Sequence, residues 1–223
     1  VHMAMNFLTQ QNRRVAGDPL PTTGPQAIHA KGKHVVVIGG GDTGSDCVGT
    51  SIRQGALSVH QFEILPKPPE GKNPETPWPF WPKIMRTSSS HEEGCERRWS
   101  VQTKALSAGM GLSVAELQGC EIDWVRGPKG WEMKERPGSE FTVKADLVLL
   151  AMGFVHVVHE GLVEQLELEL DGRGNVAVRD WMTSQEGVFA AGDTTRGAPL
   201  VVHAINEGRL AAAAVDAWLK NRD

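Results

Sequence analysis

The sequence predicts an α/β fold: a parallel sheet covered by helices, with further β-strands inserted after its first βαβ unit. Three observations carry that expectation. His34-Val-Val-Val-Ile38 is a β-branched run, the length of a strand buried on both faces. Gly39-Gly40-Gly41 ends it; a helical pattern from about Asp42 to Gln54 and a strand from Ser58 to Leu65 then complete a βαβ unit of roughly thirty residues. A second buried run, Ala145 to Ala151, supplies another strand.

Taken in order, residues 1–16 place Met3, Phe7, Leu8 and Val15 near one helical face. Residues 17–32 are rich in Gly and Pro and read as a connector. Gly55 stands at the C′ position of the first crossover helix. Residues 66–83 hold seven prolines, which exclude regular structure, and Trp78, Phe80 and Trp81, which argue for a packed loop covering the core. A helix is expected over Glu92 to Ala108, and short strands over Cys120 to Arg126, Gly130 to Arg136 and Glu140 to Val143. Gly153 lies just past the Ala145 to Ala151 strand. Beyond it come a hairpin from Glu167 to Arg179, a strand from Gly187 to Asp193 that ends in an acid, and a long helix from Pro199 to Leu219. That helix is expected to turn Val202, Ile205, Leu210, Ala212 and Val215 inward. The segments group as 1–32, 33–153 and 154–223.

Composition bounds the function. The 223 residues carry a net charge of −4, which argues against a nucleic-acid partner. Cys47, Cys95 and Cys120 are too scattered for a disulfide framework or a metal site. The longest apolar run, Leu147 to Val155, is too short to cross a membrane, and no signal peptide opens the chain, so a cytoplasmic setting is expected. Glycine is abundant, 25 residues, about one in nine.

Some of those glycines carry chemistry. Gly39-x-Gly41-x-x-Gly44 follows a strand and opens a helix. The first glycine permits a tight turn, the second lets backbone approach a pyrophosphate, and the third lets helix and strand pack closely. The segment is therefore expected to be a Rossmann-like dinucleotide-binding domain, with Gly39, Gly41, Asp42, Thr43 and Gly44 at the ligand. Glu63 stands near where an acid binds the adenosine ribose of NADH. Lys67, Arg86, Arg97 and Arg98 are candidate partners for the 2′-phosphate of NADPH, and the residues leave that choice open. A second signal is Ala191-Gly192-Asp193 before a long helix. Such an Asp can hydrogen-bond a flavin's ribityl hydroxyl. The helix start at Val201 and Val202 can face its N1 and C2 carbonyl, and Gly208 is expected to permit close helix packing.

GVFAAGDTTRGAPLVVHAINEGRLAA, residues 187–212, resembles the C-terminal flavin motif of pyridine-nucleotide flavoprotein oxidoreductases. That resemblance implies an NAD(P)H domain inserted in a flavoprotein-disulfide-reductase-like FAD domain, with Gly153 near the return between them. The fingerprint segment, QFEILPKPPE, TPWPFWP and RTSSSHEEGCERRWSVQTK resemble the small (beta) subunit family of bacterial glutamate synthase over almost the whole chain. That family implies NADPH (with NADH as the other option) oxidised at FAD. Electrons then pass through iron–sulfur clusters to the large (alpha) subunit, which forms L-glutamate from glutamine and 2-oxoglutarate. The cysteine-rich region and the earlier glycine fingerprint of the family are not in this sequence. The chain is therefore expected to be a C-terminal fragment with an incomplete FAD site, inactive without the remainder of its own subunit, and open to forming a homodimer. Hydride transfer between stacked rings needs no acid–base pair, so no catalytic side chain is expected. The competing expectations are another FAD oxidoreductase, either stand-alone or a dihydropyrimidine-dehydrogenase-like electron-input module, and a non-catalytic nucleotide-binding module.

The remaining chemistry-bearing residues read as structural. The three cysteines are expected to pack. His91-Glu92-Glu93 is expected to cap a helix or join the nucleotide domain to its neighbour. His203 is as well explained by the helix surface as by flavin contact.

Overall fold

The structure is a computed structural model that describes residues 1–21, 24, 26–71, 84–109, 111, 113–128, 130–197 and 200–221. Trp78, Phe80 and Trp81 lie outside the described residues, and so does Pro199. The chain divides into two compact units, Val1–Gly153 and Phe154–Asp223.

The first unit is built on a five-stranded parallel sheet. Its strands are β1 (His2–Met3), β2 (His34–Ile38), β3 (Ser58–Glu63), β4 (Glu96–Trp99) and β9 (Leu147–Leu150), in the order β1-β9-β2-β3-β4. The β-branched run of β2 is central and buried on both faces. Val35 and Val37 pack with Phe7, Val48 and Leu149, whereas Val36 packs on the other side with Phe62, Leu117 and Val148. Each buried valine contributes about 1.5–3 kcal/mol of transfer free energy. The helices α1 (Ala4–Val15) and α2 (Asp42–Arg53) belong to this unit, and α2 ends where Gly55 adopts φ +83°. Of the residues expected on the inner face of α1, Phe7 is fully buried, but Met3 and Val15 are exposed.

The largest departure is at Glu92 to Ala108, expected as one helix. The segment holds a single turn, α3 (Ser89–Glu92), then β4 and β5 (Val101–Ala108). Gly94 at φ +114° stops the helix, and Ser100 at φ +53° bends the chain between two strands that join different sheets. β5 pairs antiparallel with β6 (Val114–Gly127), which also pairs with β7 (Gly130–Glu135) and β8 (Phe141–Lys144). The inserted strands are thus one antiparallel sheet threaded by a 14-residue β6, longer than the expected Cys120 to Arg126.

In the second unit Asp171 organises the expected turn. Its carboxylate accepts from the N–H groups of Arg173 (2.8 Å) and Asn175 (2.9 Å), and Leu170 bridges Val176 antiparallel. The expected strand at Gly187 to Asp193 shrinks to one bridge, Met182 to Phe189. The helices of this unit are α4 (Leu162–Gln165), which precedes the Asp171 turn, and α5 (Asp193–Arg196) and α6 (Val201–Lys220), which follow it. α6 buries Glu207 and Ala211 rather than the predicted apolar stripe; Val202 is 64% and Ile205 61% exposed, and Leu210 and Ala212 are exposed too. Hydrophobic period alone does not reveal whether a layer exists to cover the face. No helix among the described residues is long and apolar enough to cross a membrane.

Candidate functional site

The glycine turn sits at the C-terminal end of β2. Gly39 takes φ +124°, and its N–H donates to the Phe62 carbonyl at 2.8 Å. A Cβ there would lie 2.1 Å from the Ala151 carbonyl oxygen. A Cβ on Gly44 would lie 2.3 Å from the Gly39 carbonyl oxygen. These two glycines are therefore demanded by the fold itself. Gly41 is different: it begins α2, with ordinary φ −79°, and nothing lies within 4 Å of where its Cβ would be. An open backbone face beside free helix N–H groups is what a pyrophosphate needs. Asp42 and Thr43 occupy the first turn at this opening.

Glu63, at the end of β3, comes back to the same turn. Its carboxylate accepts from the Gly40 N–H at 2.7 Å and from the Leu65 N–H at 2.9 Å. Three of the four basic candidates have side chains engaged elsewhere. Lys67 pairs with Glu70 (2.7 Å) and lies over Trp99; Arg97 lies over Trp99 and donates to the Arg86 carbonyl; Arg98 lies over Phe141 and pairs with Glu121. Gly153, at φ +90°, follows Ala151, whose N–H donates to Ile38 beside the turn.

A second layer braces the turn, and sequence reasoning did not find it. The buried Gln61 donates from Nε2 to the Gly39 carbonyl at 3.0 Å. Its Oε1 faces His91 Nε2 at 2.9 Å, which makes Nε2 the protonated nitrogen of a neutral ring. The other nitrogen, Nδ1, accepts from the Ser88 N–H at 3.3 Å within a capping box on α3. Ser88 also contacts Ser45 of α2. Burial, with Arg97 second, holds His91 below the ordinary histidine pKa, which suits the neutral tautomer. The cap reading of His91 thus stands, and Glu93 pairs with Arg53. Burial pushes the Cys47 thiol up to about 12 and raises Cys95 and Cys120 as well, so none is poised as a thiolate. Among the described residues no cluster of three or more His, Cys, Asp or Glu could hold a metal ion.

In the second unit the Gly192-Asp193 turn starts α5. Gly192 takes φ +71°, and its N–H donates to Glu207 Oε2 at 2.9 Å; Arg196 donates to Glu207 Oε1 at 2.5 Å. Glu207 is 4% exposed and fastens the turn to α6. Glu207 lies within the motif at residues 187–212, but its tie to the turn carries no local signal, because its partners lie eleven and fifteen residues away. Asp193, with Phe154, His156, Val157, Val158, Thr194 and Gly197, lines a groove of about 290 Å³. The Asp193 carboxylate has no hydrogen-bond partner among the described residues, so it stands open as an acceptor. Val201, Val202 and His203 are exposed at the start of α6. The close packing expected at Gly208 is not made: nothing lies within 4 Å of its Cβ position.

The profile of the pyridine nucleotide-disulphide oxidoreductases matches residues 7–208. The chain is 51% identical over 98% of its length to the "Glutamate synthase [NADPH] small chain" of Mycobacterium tuberculosis. It is 39% identical over 97% of its length to the "Glutamate synthase [NADH]" of Schizosaccharomyces pombe. It covers 44% of the first of these relatives and 10% of the second. Among solved structures, FprA, an oxidoreductase of Mycobacterium tuberculosis, superposes with a TM-score of 0.67 over 99% of this chain and 59% of its own, at 15% identity, a likeness of fold. The fold, the glycine turn and the profile agree: the chain belongs to the pyridine nucleotide-disulphide oxidoreductase family, and within it resembles the glutamate synthase small chains.

Proposed function

We propose that this chain is the NADPH-oxidising part of the electron-input subunit of a cytoplasmic glutamate synthase. In this reading the subunit passes hydride from NADPH to FAD, and its electrons serve glutamate formation on a large (alpha) subunit. Bound FAD would supply the hydride acceptor. The chain's own residues bind and orient. The Gly39–Gly44 turn and the start of α2 hold the coenzyme pyrophosphate. Asp193 would accept a hydrogen bond from a flavin hydroxyl, and the start of α6, at Val201 and Val202, would favour negative charge on the flavin. The donor set here does not fit an iron–sulfur cluster: the three cysteines are separate, and two are buried. Any such cluster belongs to other parts of the enzyme.

The observation that carries the reading is the open face at Gly41 between two glycines that the fold itself requires. One specific observation favours NADH as a second reading. Glu63 brings its carboxylate to the turn where a 2′-phosphate would sit, and no cation pairs with it among the described residues. Gly41→Val in the full-length polypeptide tests the first reading. The backbone there suits any residue, so the thermal midpoint should hold while affinity for the reduced coenzyme falls at least about tenfold. Unchanged affinity would sink the proposal. The same titration with NADH and NADPH, repeated on Glu63→Gln, decides between the coenzymes.

A further inference from the structure

β7 is the outer strand of its sheet, and its edge suits a second copy of itself. All six of its residues are exposed, Trp131 by 67% and Met133 by 47%. Among the described residues no named strand pairs with its outer side. The Arg136 N–H donates to the Glu121 carbonyl at 2.9 Å, so that position is a hydrogen-bonded pair of the β6·β7 ladder. Hydrogen-bonded and non-bonded pairs alternate along an antiparallel ladder. Trp131, Met133 and Glu135 are therefore the non-bonded positions, and their N–H and C=O groups point to the free edge.

Natural edge strands are blunted by bulges, prolines or inward charges. β7 runs in unbroken register with β6 and contains no proline. Its charges do not protect it from self-pairing. Glu135 is paired with Lys104, and the flanking Arg136 with Asp123 and Glu121. Glu132 and Lys134, on either side of Met133, have no ion-pair or hydrogen-bond partner among the described residues.

Two such edges, related by a twofold axis, must bring Trp131, Met133 and Glu135 into bonded positions. Centring the pair on residue 132 sets Glu132 against Glu132. Centring it on 134 sets Lys134 against Lys134. Centring it on Met133 sets Glu132 against Lys134 twice, Met133 against Met133, and Trp131 against Glu135 of the other copy. Centring on 134 also brings Glu132 opposite Arg136, so only the register centred on Met133 opposes unlike charges without opposing like ones. We propose that a second copy of this chain docks antiparallel along β7 in the register centred on Met133.

Sedimentation equilibrium of the full-length polypeptide tests the dimer. The native polypeptide should dimerise, and Glu132→Lys and Lys134→Glu should each raise the dissociation constant about tenfold. Mixed one to one, the two variants should recover native affinity, because each then meets the opposite charge. Met133→Pro removes one outward N–H and no bond of the β6·β7 ladder, so it should weaken the dimer while circular dichroism stays unchanged. A native polypeptide that stays monomeric, a dimer that neither reversal weakens, or a mixture no tighter than its components would overturn the proposal.

Discussion

At the scale of single residues, the glycine motif separates into two physical kinds. Gly39 and Gly44 are fixed by steric contact with Ala151 and with Gly39 itself, whereas Gly41 is free of any neighbour. The spacing in the sequence marks all three alike; only the folded contacts tell fold requirement from ligand access. Glu207 makes the opposite case, since the motif contains it without marking its role, and its partners come only through tertiary folding. Removing its carboxylate leaves the buried Gly192 N–H without an acceptor, which costs about 1–3 kcal/mol. Glu207→Ala should therefore lower the thermal midpoint, and Glu207→Gln, which keeps one acceptor, should lose less. Equal melting of both variants with the native chain would show that the Gly192 turn does not depend on this tie.

Elements were legible where a pattern and a breaker coincided. β2 stands out because its valines alternate onto two buried faces and glycines close the run. α2 stands out because its first turn follows a glycine and Gly55 ends it. The segment from Glu92 to Ala108 misled because Glu, Arg, Gln, Lys and Ala favour helix locally, while Gly94, Ser100 and pairing with β3 and β6 decide for strand. α6 was right as a helix and wrong in facing. Its apolar residues at Val202 and Ile205 meet no neighbouring layer among the described residues, so Ile205→Ser should change the stability of this chain by less than about 0.5 kcal/mol. A chemical denaturation midpoint shifted well beyond that would mean that the face is covered in solution.

At the scale of the whole molecule, the sequence displayed the α/β class and its low cysteine content, but not how its inserted strands were arranged. One long strand, β6, gathers three partners, a non-local arrangement that no window of residues contains. The cysteine arithmetic carries to the folded chain, where Cys47 and Cys120 are buried with raised thiol pKa values. Incubating this chain with iron and sulfide under reducing conditions should yield no cluster absorbance, and a thiol reagent should modify Cys47 and Cys120 only after denaturation. Rapid labelling of either would contradict the packing described. The brace from Ser45 through Ser88, His91 and Gln61 to the Gly39 carbonyl has a kinetic meaning as well. In the proposed reading the cradle takes its shape during folding, so an arriving dinucleotide would have little ordering of this turn to drive. A turn braced in this way would favour rapid exchange of the proposed coenzyme over long residence.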